Sequence, residues 1–485
     1  MCQLFNEPSV RGRPGHSHLS TTLLFPYDSQ VVKPKLTLVH PCVGRHRNEP
    51  YLRSWQMEPL APALLAALTP ERYQLAFYDD RLELIDYDAP TDLVAISVET
   101  YTARRAYQIA SEFRKRGVPV VMGGFHPTLV PEEAGEFAEA VVVGEAETVW
   151  ETLLEDFEAG RLRKYYRSAT GKNRAELRSV QPDRSLFKGK RYLPIRLVES
   201  GRGCHFSCRF CAIASFFEST QLRRPADAIV SELEALRKNV IFFVDDNVTS
   251  RMKEAKELFR KLIPLKLRWI GQASITAAWD EEFLELLKAS GCQGLLIGFE
   301  SLKPEVIESM GKNFNMAKGG YGPAIAQFRK YGIRLYGTFI IGYDGDSTDT
   351  VEKALEFALQ EQFFLAAFNH LTPFPATPLY RELEAEDRLV YPRWWLSEDY
   401  RYGEVPFKPV GLDRKQIQDL CHWARRRFYG RSGLWQRAKA ATWNLRSPFM
   451  TWQFFAINAM MGRDVSGRDG LPLGDAGWEG KLLSV

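Results

Sequence analysis

No run of about 18 apolar residues occurs anywhere in the chain, so no transmembrane helix is expected. The first residues carry Glu7, Arg11, Arg13 and His16 rather than the apolar core of a secretory signal, which predicts a cytoplasmic protein. Charge of one sign is also lacking. Lys and Arg number 64 against 60 Asp and Glu, and a formal net charge of +4 offers no broad basic surface for nucleic acid. Cysteine is scarce: seven in 485 residues. Cys2, Cys42, Cys292 and Cys421 are scattered, whereas Cys204, Cys208 and Cys211 fall within one short segment. A disulfide framework would be spread more evenly, and a reducing compartment disfavours one, so the cluster reads as metal ligands.

What is present is alternation. At 485 residues the chain exceeds one ordinary core and suggests two to four domains. Residues 1–33 have no clear periodicity and read as an arm. From Lys35 apolar strands alternate with helices: Lys35–His40, Tyr73–Tyr78, Asp92–Val98, Val118–Met122 and Ala140–Val143, with helices at Pro59–Leu68 and from Ala103 to Arg116. This pattern predicts a doubly wound parallel sheet over 34–160, a Rossmann-like domain. Residues 161–195 are polar and read as a linker. A second series spans 196–378, with strands at Leu197–Glu199, Val240–Val244, Arg268–Gln272, Gly294–Phe299, Arg334–Ile341 and Phe364–Leu371. Six βα units predict a partial (β/α)6 TIM-type barrel, whose chemistry would sit at the C-terminal strand ends. Residues 379–485, rich in Trp, Arg and Tyr, read as a mainly helical cap. The fold class is therefore α/β.

The cysteine segment reads Glu199-Ser-Gly-Arg-Gly-Cys204-His-Phe-Ser-Cys208-Arg-Phe-Cys211. Thiolates ligate cubane iron–sulfur clusters. Three ligands for a four-iron cluster leave one iron open, as an open position marks a catalytic zinc. A zinc knuckle is the bland alternative, but it needs a fourth ligand, and His205 sits awkwardly between two ligating positions. Gly201 and Gly203 allow close approach of the backbone.

This spacing, with the aromatic Phe210 before the third cysteine, resembles the signature of the radical S-adenosylmethionine (SAM) superfamily. The resemblance implies a [4Fe–4S] cluster on Cys204, Cys208 and Cys211. Its open iron would bind the amino and carboxylate groups of S-adenosylmethionine, and electron transfer would release a 5′-deoxyadenosyl radical. Later segments resemble the same family in order. Asp245, Asp246 and Asn247 follow the second strand, near the place of the methionine amine. Gln272 and Ser274 end the third strand. Glu300 and Ser301 follow the fourth, toward ribose and carboxylate. Gly342, in Gly342-Tyr-Asp-Gly345-Asp346, ends the fifth, toward adenine.

The preceding α/β domain resembles the cobalamin-binding domain of one branch of that superfamily. Three loops carry the likeness: Ser97, Glu99 and Thr100; Gly123, Gly124 and His126; Gly144, Glu145 and Glu147. By resemblance they would enclose the nucleotide tail and approach the corrin edge. The cobalt-ligating motif D-x-H-x-x-G is absent; His40-Pro-Cys42-Val-Gly44-Arg45-His46 stands in its place. His40, His46 and His126 read better as loop histidines satisfied by backbone than as cobalt ligands. Asp79, Asp80 and Arg81 suit either a strand-end cap or a ligand contact. Cys42 and Cys292 read as small packed residues.

After the sixth strand, Thr372-Pro-Phe-Pro-Ala-Thr-Pro-Leu-Tyr380 resembles a segment that ends the barrel in the same branch, beside the substrate opening. The run Phe449–Met461 with Arg425-Arg-Arg427 suits a peripheral membrane contact or, more plainly, a core helix of the cap. The resulting expectation is a radical SAM enzyme functionalising an unactivated carbon of a hydrophobic small molecule, by cobalamin-dependent C-methylation. Radical cyclisation, oxidation or rearrangement without methyl transfer is the alternative. An external donor such as flavodoxin or ferredoxin would supply the electron. A transfer-RNA methylthiotransferase is a more distant reading, since the α/β domain offers only Cys42 for a second cluster. A non-catalytic binder is a third class.

Overall fold

The computed structural model describes residues 33–51, 56–169, 171, 179–439, 444–464 and 467–485. The arm expected over 1–33 lies outside them, apart from Lys33.

Runs of Val, Ile, Leu and Ala buried on both faces form the first sheet, as expected of parallel strands covered by helices. Its strands are β1 (Lys35–His40), β2 (Gln74–Asp79), β3 (Leu93–Ser97), β4 (Val120–Gly123), β5 (Ala140–Val143) and β6 (Tyr165–Arg167). All are parallel, in the order β2-β1-β3-β4-β5-β6. One face packs Val94 and Ile96 against Tyr107, Ile109 and Phe113 of helix α2 (Ala103–Lys115). The other packs Leu93, Ala95 and Val121 with Ala66 of α1 (Leu60–Leu68) and Trp150 of α3 (Trp150–Glu158). This is the doubly wound architecture, and its strand order reverses between β1 and β3, which opens a crevice beyond the strand ends. The sixth strand comes from the segment read as linker. Three residues are too few for period-two alternation to show.

Asp79 and Asp80, at the end of β2, prove to be structural clamps. Arg105 grips Asp80 with Nε and Nη2 at 2.8 and 2.9 Å, Arg45 also pairs with it, and the Cys42 amide donates to it at 3.2 Å. Asp79 accepts from Arg81 and from the Tyr192 hydroxyl at 2.9 Å. Burial would raise the Asp80 carboxyl, but Arg105 and Arg45 outweigh it and hold it at about 2.

The second sheet consists of β7 (Arg196–Val198), β8 (Val240–Phe243), β9 (Arg268–Ala273), β10 (Cys292–Glu300), β11 (Arg334–Ile341) and β12 (Leu365–His370). They are parallel and pair in sequential order, leaving β7 and β12 as open edges. Helices α4 (Ala226–Leu236), α5 (Met252–Leu262), α6 (Glu281–Ala289), α7 (Tyr321–Tyr331) and α8 (Thr348–Gln360) connect the strands, and Phe259 of α5 stacks on Trp269 at 4.7 Å. This is the expected partial (β/α)6 barrel.

The exposed edge of β12 would present unpaired backbone groups. The cap supplies their partners. From α9 (Arg414–Tyr429), the Tyr429 hydroxyl donates to the Ala366 carbonyl at 2.8 Å and Arg425 donates to that of Phe368 at 2.9 Å. Fully buried Arg437 of α10 (Arg431–Lys439) donates to the carbonyls of Phe363 and Phe364, each at 3.1 Å. Asn458 of α11 (Pro448–Asp464) donates to Phe364 at 3.2 Å. The last residues leave the helical cap and return to the first domain, where they form a separate two-stranded sheet. Gly474–Asp475 pairs with Gly44–Arg45, and Trp478 donates to Glu112 at 2.8 Å.

Replacing Asp80 with Asn leaves two buried arginines short of a counter-charge, and should destabilise the chain by about 3 kcal/mol or more, seen as a fall in Tm of several degrees. Because the folded carboxyl titrates below its ordinary value, its contribution is full above about pH 4 and is lost as pH falls toward 2. The wild-type advantage over Asp80→Asn should therefore shrink across that window. Equal melting of the two proteins at neutral pH would refute this role.

Candidate active site at the junction of the two sheets

The cysteine loop leaves β7 and is bounded by a small clasp, Gly201–Gly203 paired antiparallel with Gln221–Arg223. Helix Ala212–Phe216 begins directly after Cys211. Cys208 is buried, and Cys204 and Cys211 are half-buried. Side chains from the β8 loop approach the first sulfur: Asn247 Nδ2 lies 3.4 Å and Ser250 Oγ 3.8 Å from Cys204 Sγ. His205 Nδ1 lies 2.8 Å from the same Ser250 Oγ. Burial pushes the Cys208 thiol up to about 12, with Lys312 opposing, and also raises Cys211. Among the described residues, no three His, Cys, Asp or Glu side chains converge on a single ion. Three soft sulfurs on one loop, with N–H and O–H donors beside the first, suit a polynuclear iron–sulfur group.

The other expected residues gather at the C-terminal ends of β8–β11, with differing roles. Asp245 is fully buried and accepts from the Ser200 amide at 2.7 Å and from its hydroxyl, so it clamps the start of the cysteine loop. Asp246 accepts from the Gly203 amide at 2.7 Å. Burial raises it to about 6. The Gln272 carbonyl accepts from Val248, while Ser274 caps the turn at Thr276 and donates its amide to Asn247 Oδ1 at 3.1 Å. Glu300 sits at a register shift with φ +66° and pairs with Lys312 at 2.7 Å. Ser301 is buried, its hydroxyl accepting from Lys303. Gly342 has φ +110°, a conformation that glycine tolerates, and its amide donates to Asp346 at 2.9 Å. Phe210 meets Tyr343 edge-on at 6.3 Å.

A cavity of about 280 Å³ lies where the two sheets face one another. Its first-domain wall includes Leu60, Leu64, Ala95, Val121, Val142 and Trp150, together with Ser97, Glu99, Gly123, Gly124 and Glu145. Its barrel wall includes Glu199, Arg202, Val244 and Asp246. At Gly124, with φ +108°, a Cβ would come within 2.8 Å of the Val98 carbonyl, so only glycine lets these loops close together. Arg202 gathers Glu147 at 2.6 Å, Glu199 at 2.7 Å and Glu145. Burial raises Glu199 to about 7 despite Arg202; burial and the Asp246 charge raise Glu99 to about 7. The junction thus presents carboxyl groups that can hold a proton near neutral pH.

Three expected cofactor contacts stand apart from this cavity. Thr100 is buried at the start of a short 3-10 turn. Gly144 turns the chain against Ser168. His126 is fully buried, with Nε2 3.0 Å from Glu133 Oε1 and its ring edge-on to Trp395. Its Nε2 is thus partnered by a carboxylate rather than by backbone, and its Nδ1 has no hydrogen-bond partner among the described residues.

A second cavity, about 560 Å³, lies under the cap at the ends of β11 and β12. Phe210, Tyr336, His370, Thr372, Tyr402, Arg425 and Asp469 line it. Burial lowers His370 to about 4, so its ring is neutral at ordinary pH. Sequence reading missed Lys312, Tyr336 and Asp469. Each comes from a different element and carries no local motif. Arg202, a lone charge between two glycines before the first cysteine, was the one visible signal.

Residues 198–358 match the model of the radical SAM superfamily. The bacteriochlorophyllide d C-12(1)-methyltransferase of Chlorobaculum tepidum is 30% identical over 417 residues, covering 84% of this chain and 88% of that protein. The chain belongs to the radical SAM superfamily. It falls in the branch with a cobalamin-binding-like domain ahead of the barrel. A second Chlorobaculum tepidum relative, the bacteriochlorophyllide d C-8(2)-methyltransferase, is 28% identical over 357 residues, 69% of this chain and 78% of its own. The fold matches two solved radical SAM enzymes. TsrM from Kitasatospora setae, solved with cobalamin and a [4Fe–4S] cluster, has a TM-score of 0.57 at 18% identity, covering 82% of each chain. OxsB, solved with aqua-cobalamin and S-adenosylmethionine, has a TM-score of 0.60 at 15% identity, covering 89% of this chain and 71% of its own.

Anaerobic reconstitution of this radical SAM protein should load about four irons per chain, and Cys208→Ala should lose the cluster's visible absorbance while keeping its far-ultraviolet circular dichroism. Retention of full iron by that variant would remove Cys208 from the ligand set.

Proposed function

We propose that this radical SAM enzyme is a cobalamin-dependent C-methyltransferase acting on a hydrophobic ring substrate of the chlorophyllide type, in the cytoplasm. The junction cavity carries the reading. It opens beyond the C-terminal ends of β3, β4 and β5, the side on which open parallel sheets receive ligands. Its apolar slot between α1 and the sheet, lined by Leu60, Leu64, Val121 and Trp150, suits an aromatic tail. Its rim carboxyls at Glu99, Glu145 and Asp246 suit an amide-bearing periphery. When bound, the cluster and cobalamin would supply, respectively, the electron that cleaves S-adenosylmethionine and the methyl group. Cys204, Cys208 and Cys211 would hold the cluster; Glu300, Gly342 and the β8 and β9 loops would orient S-adenosylmethionine. The larger cavity under the cap begins at Phe210, beside the third cysteine, and suits the substrate. Its aromatic side chains supply flat apolar surface, and Arg425 supplies a cation for a carboxylate. A low-potential donor such as flavodoxin or ferredoxin is required.

The second reading is oxidative cyclisation without methyl transfer. It is favoured by a relative named anaerobic magnesium-protoporphyrin IX monomethyl ester cyclase in Cereibacter sphaeroides, 25% identical over 70% of this chain and 60% of its own.

The deciding experiment incubates reconstituted protein anaerobically with hydroxocobalamin, S-adenosylmethionine, a reductant and bacteriochlorophyllide d. The expected product is heavier by one methylene and forms together with 5′-deoxyadenosine. Deoxyadenosine formation without cobalamin absorbance or methyl gain would favour the second reading. Independently, Leu64→Trp should fill the apolar slot, lowering bound cobalamin about ten-fold or more at unchanged iron content. Unchanged cobalamin content would place the cofactor elsewhere.

A further inference from the structure

The last long helix, α11, is apolar where a surface helix should be polar. Pro448 to Gly462 contains no charged residue. Only Phe454 and Asn458 of α11 are buried, holding the helix to Phe364 and Arg437. The outward stripe is Phe449, Trp452, Phe455, Ala456 and Ala459, spaced three to four residues apart along one face. Trp452 is 66% exposed, and Phe449 stacks beside it at 6.3 Å. The core helix expected as the plainer reading is therefore absent; the helix lies on the surface.

The neighbouring cap helices add more exposed indole and positive charge. Trp423 on α9 and Trp435 on α10 are 43% and 62% exposed. Residues 414–463 contain ten Arg and Lys against a single Asp, in a chain whose whole net charge is +4. Arg426, Arg427, Arg431, Lys439 and Arg446 are exposed. Arg426 and Arg427 form no ion pair among the described residues, and they share a shallow groove with Lys415 and Trp423. No described helix is long and apolar enough to cross a membrane. Exposed Trp and Phe beside arginines free of ion pairs have the chemistry of a helix that lies in the headgroup region of an anionic bilayer.

We propose that the cap, through α11 and its flanking arginines, docks the enzyme on an anionic phospholipid surface. A second copy of the chain could instead cover an apolar face, but a face this basic would oppose its own copy across a two-fold axis. Anionic lipid complements it.

The test uses the full-length reconstituted protein and vesicles of phosphatidylcholine with and without phosphatidylglycerol, read by co-sedimentation. Binding is expected only with phosphatidylglycerol, and it should weaken as salt is raised. Trp452→Ser with Phe455→Ser, and separately Arg426→Glu with Arg427→Glu, should each reduce the bound fraction about ten-fold or more, with circular dichroism and iron content unchanged. These positions are exposed, so the fold is not at stake. Three results would overturn the proposal: protein left in the supernatant with phosphatidylglycerol vesicles, equal binding by both variants, or a concentration-dependent dimer in ultracentrifugation that the aromatic variant abolishes.

Discussion

Arg202 lies two residues before the first cysteine, and its guanidinium is shared by Glu199 of the barrel and by Glu145 and Glu147 of the first domain. This buried network fixes the carboxyl ends of two separate parallel sheets against each other. Both sheets place loops at those ends because parallel strands return through helices on their faces. The cavity between them, the start of the cysteine loop and the raised carboxyls at Glu99 and Asp246 all follow from that one juxtaposition. Such a network does little for net stability, since three carboxylates and a guanidinium must leave water. Its consequence is geometric: the loop that carries Cys204 is registered to the cradle formed by Ser97, Gly123 and Gly124.

The same logic of buried charge recurs away from the site. Asp80 with Arg45 and Arg105 locks the end of β2, and Asp475 from the returning tail lies 3.5 Å from Arg45. The tail thus links the cap to the first domain. At the other end of the barrel, Arg437 and Tyr429 complete the hydrogen bonding of β12, so the cap closes an edge as well as roofing a cavity. A cap bonded to the last strand brings Arg425 and Tyr402 over the space beside Phe210. Its outer surface keeps the apolar helix α11 in contact with solvent.

Much of this was legible in the sequence because it is periodic. Five strands of the first sheet and all six of the second stood out as apolar runs, and helix α1 was misplaced by only one residue at its start. The cysteine spacing was legible because its chemistry is local. What escaped was short or non-local. Tyr165–Arg167 is too brief to show alternation, Asp80 gives no hint that Arg105 answers it across the fold, and Asp469 reaches the cavity beside β12 only through the cap. His126, after two glycines, reads as a ligand by its position, and nothing local shows that its Nε2 meets Glu133 of the next helix. The run at Phe449–Met461 was ambiguous between core and surface, because composition alone does not say which face meets solvent.

The proposed function puts a cluster on Cys204, Cys208 and Cys211 and a corrin in the cavity that Arg202 lines. Anomalous X-ray diffraction from crystals of the anaerobically reconstituted, cobalamin-loaded protein, recorded at the iron and cobalt edges, tests it most directly. The account predicts iron density within the loop from Cys204 to Cys211 and a single cobalt peak in the cavity between Gly124 and Asp246. Cobalt located outside that cavity, or iron bound away from the three cysteines, would contradict it.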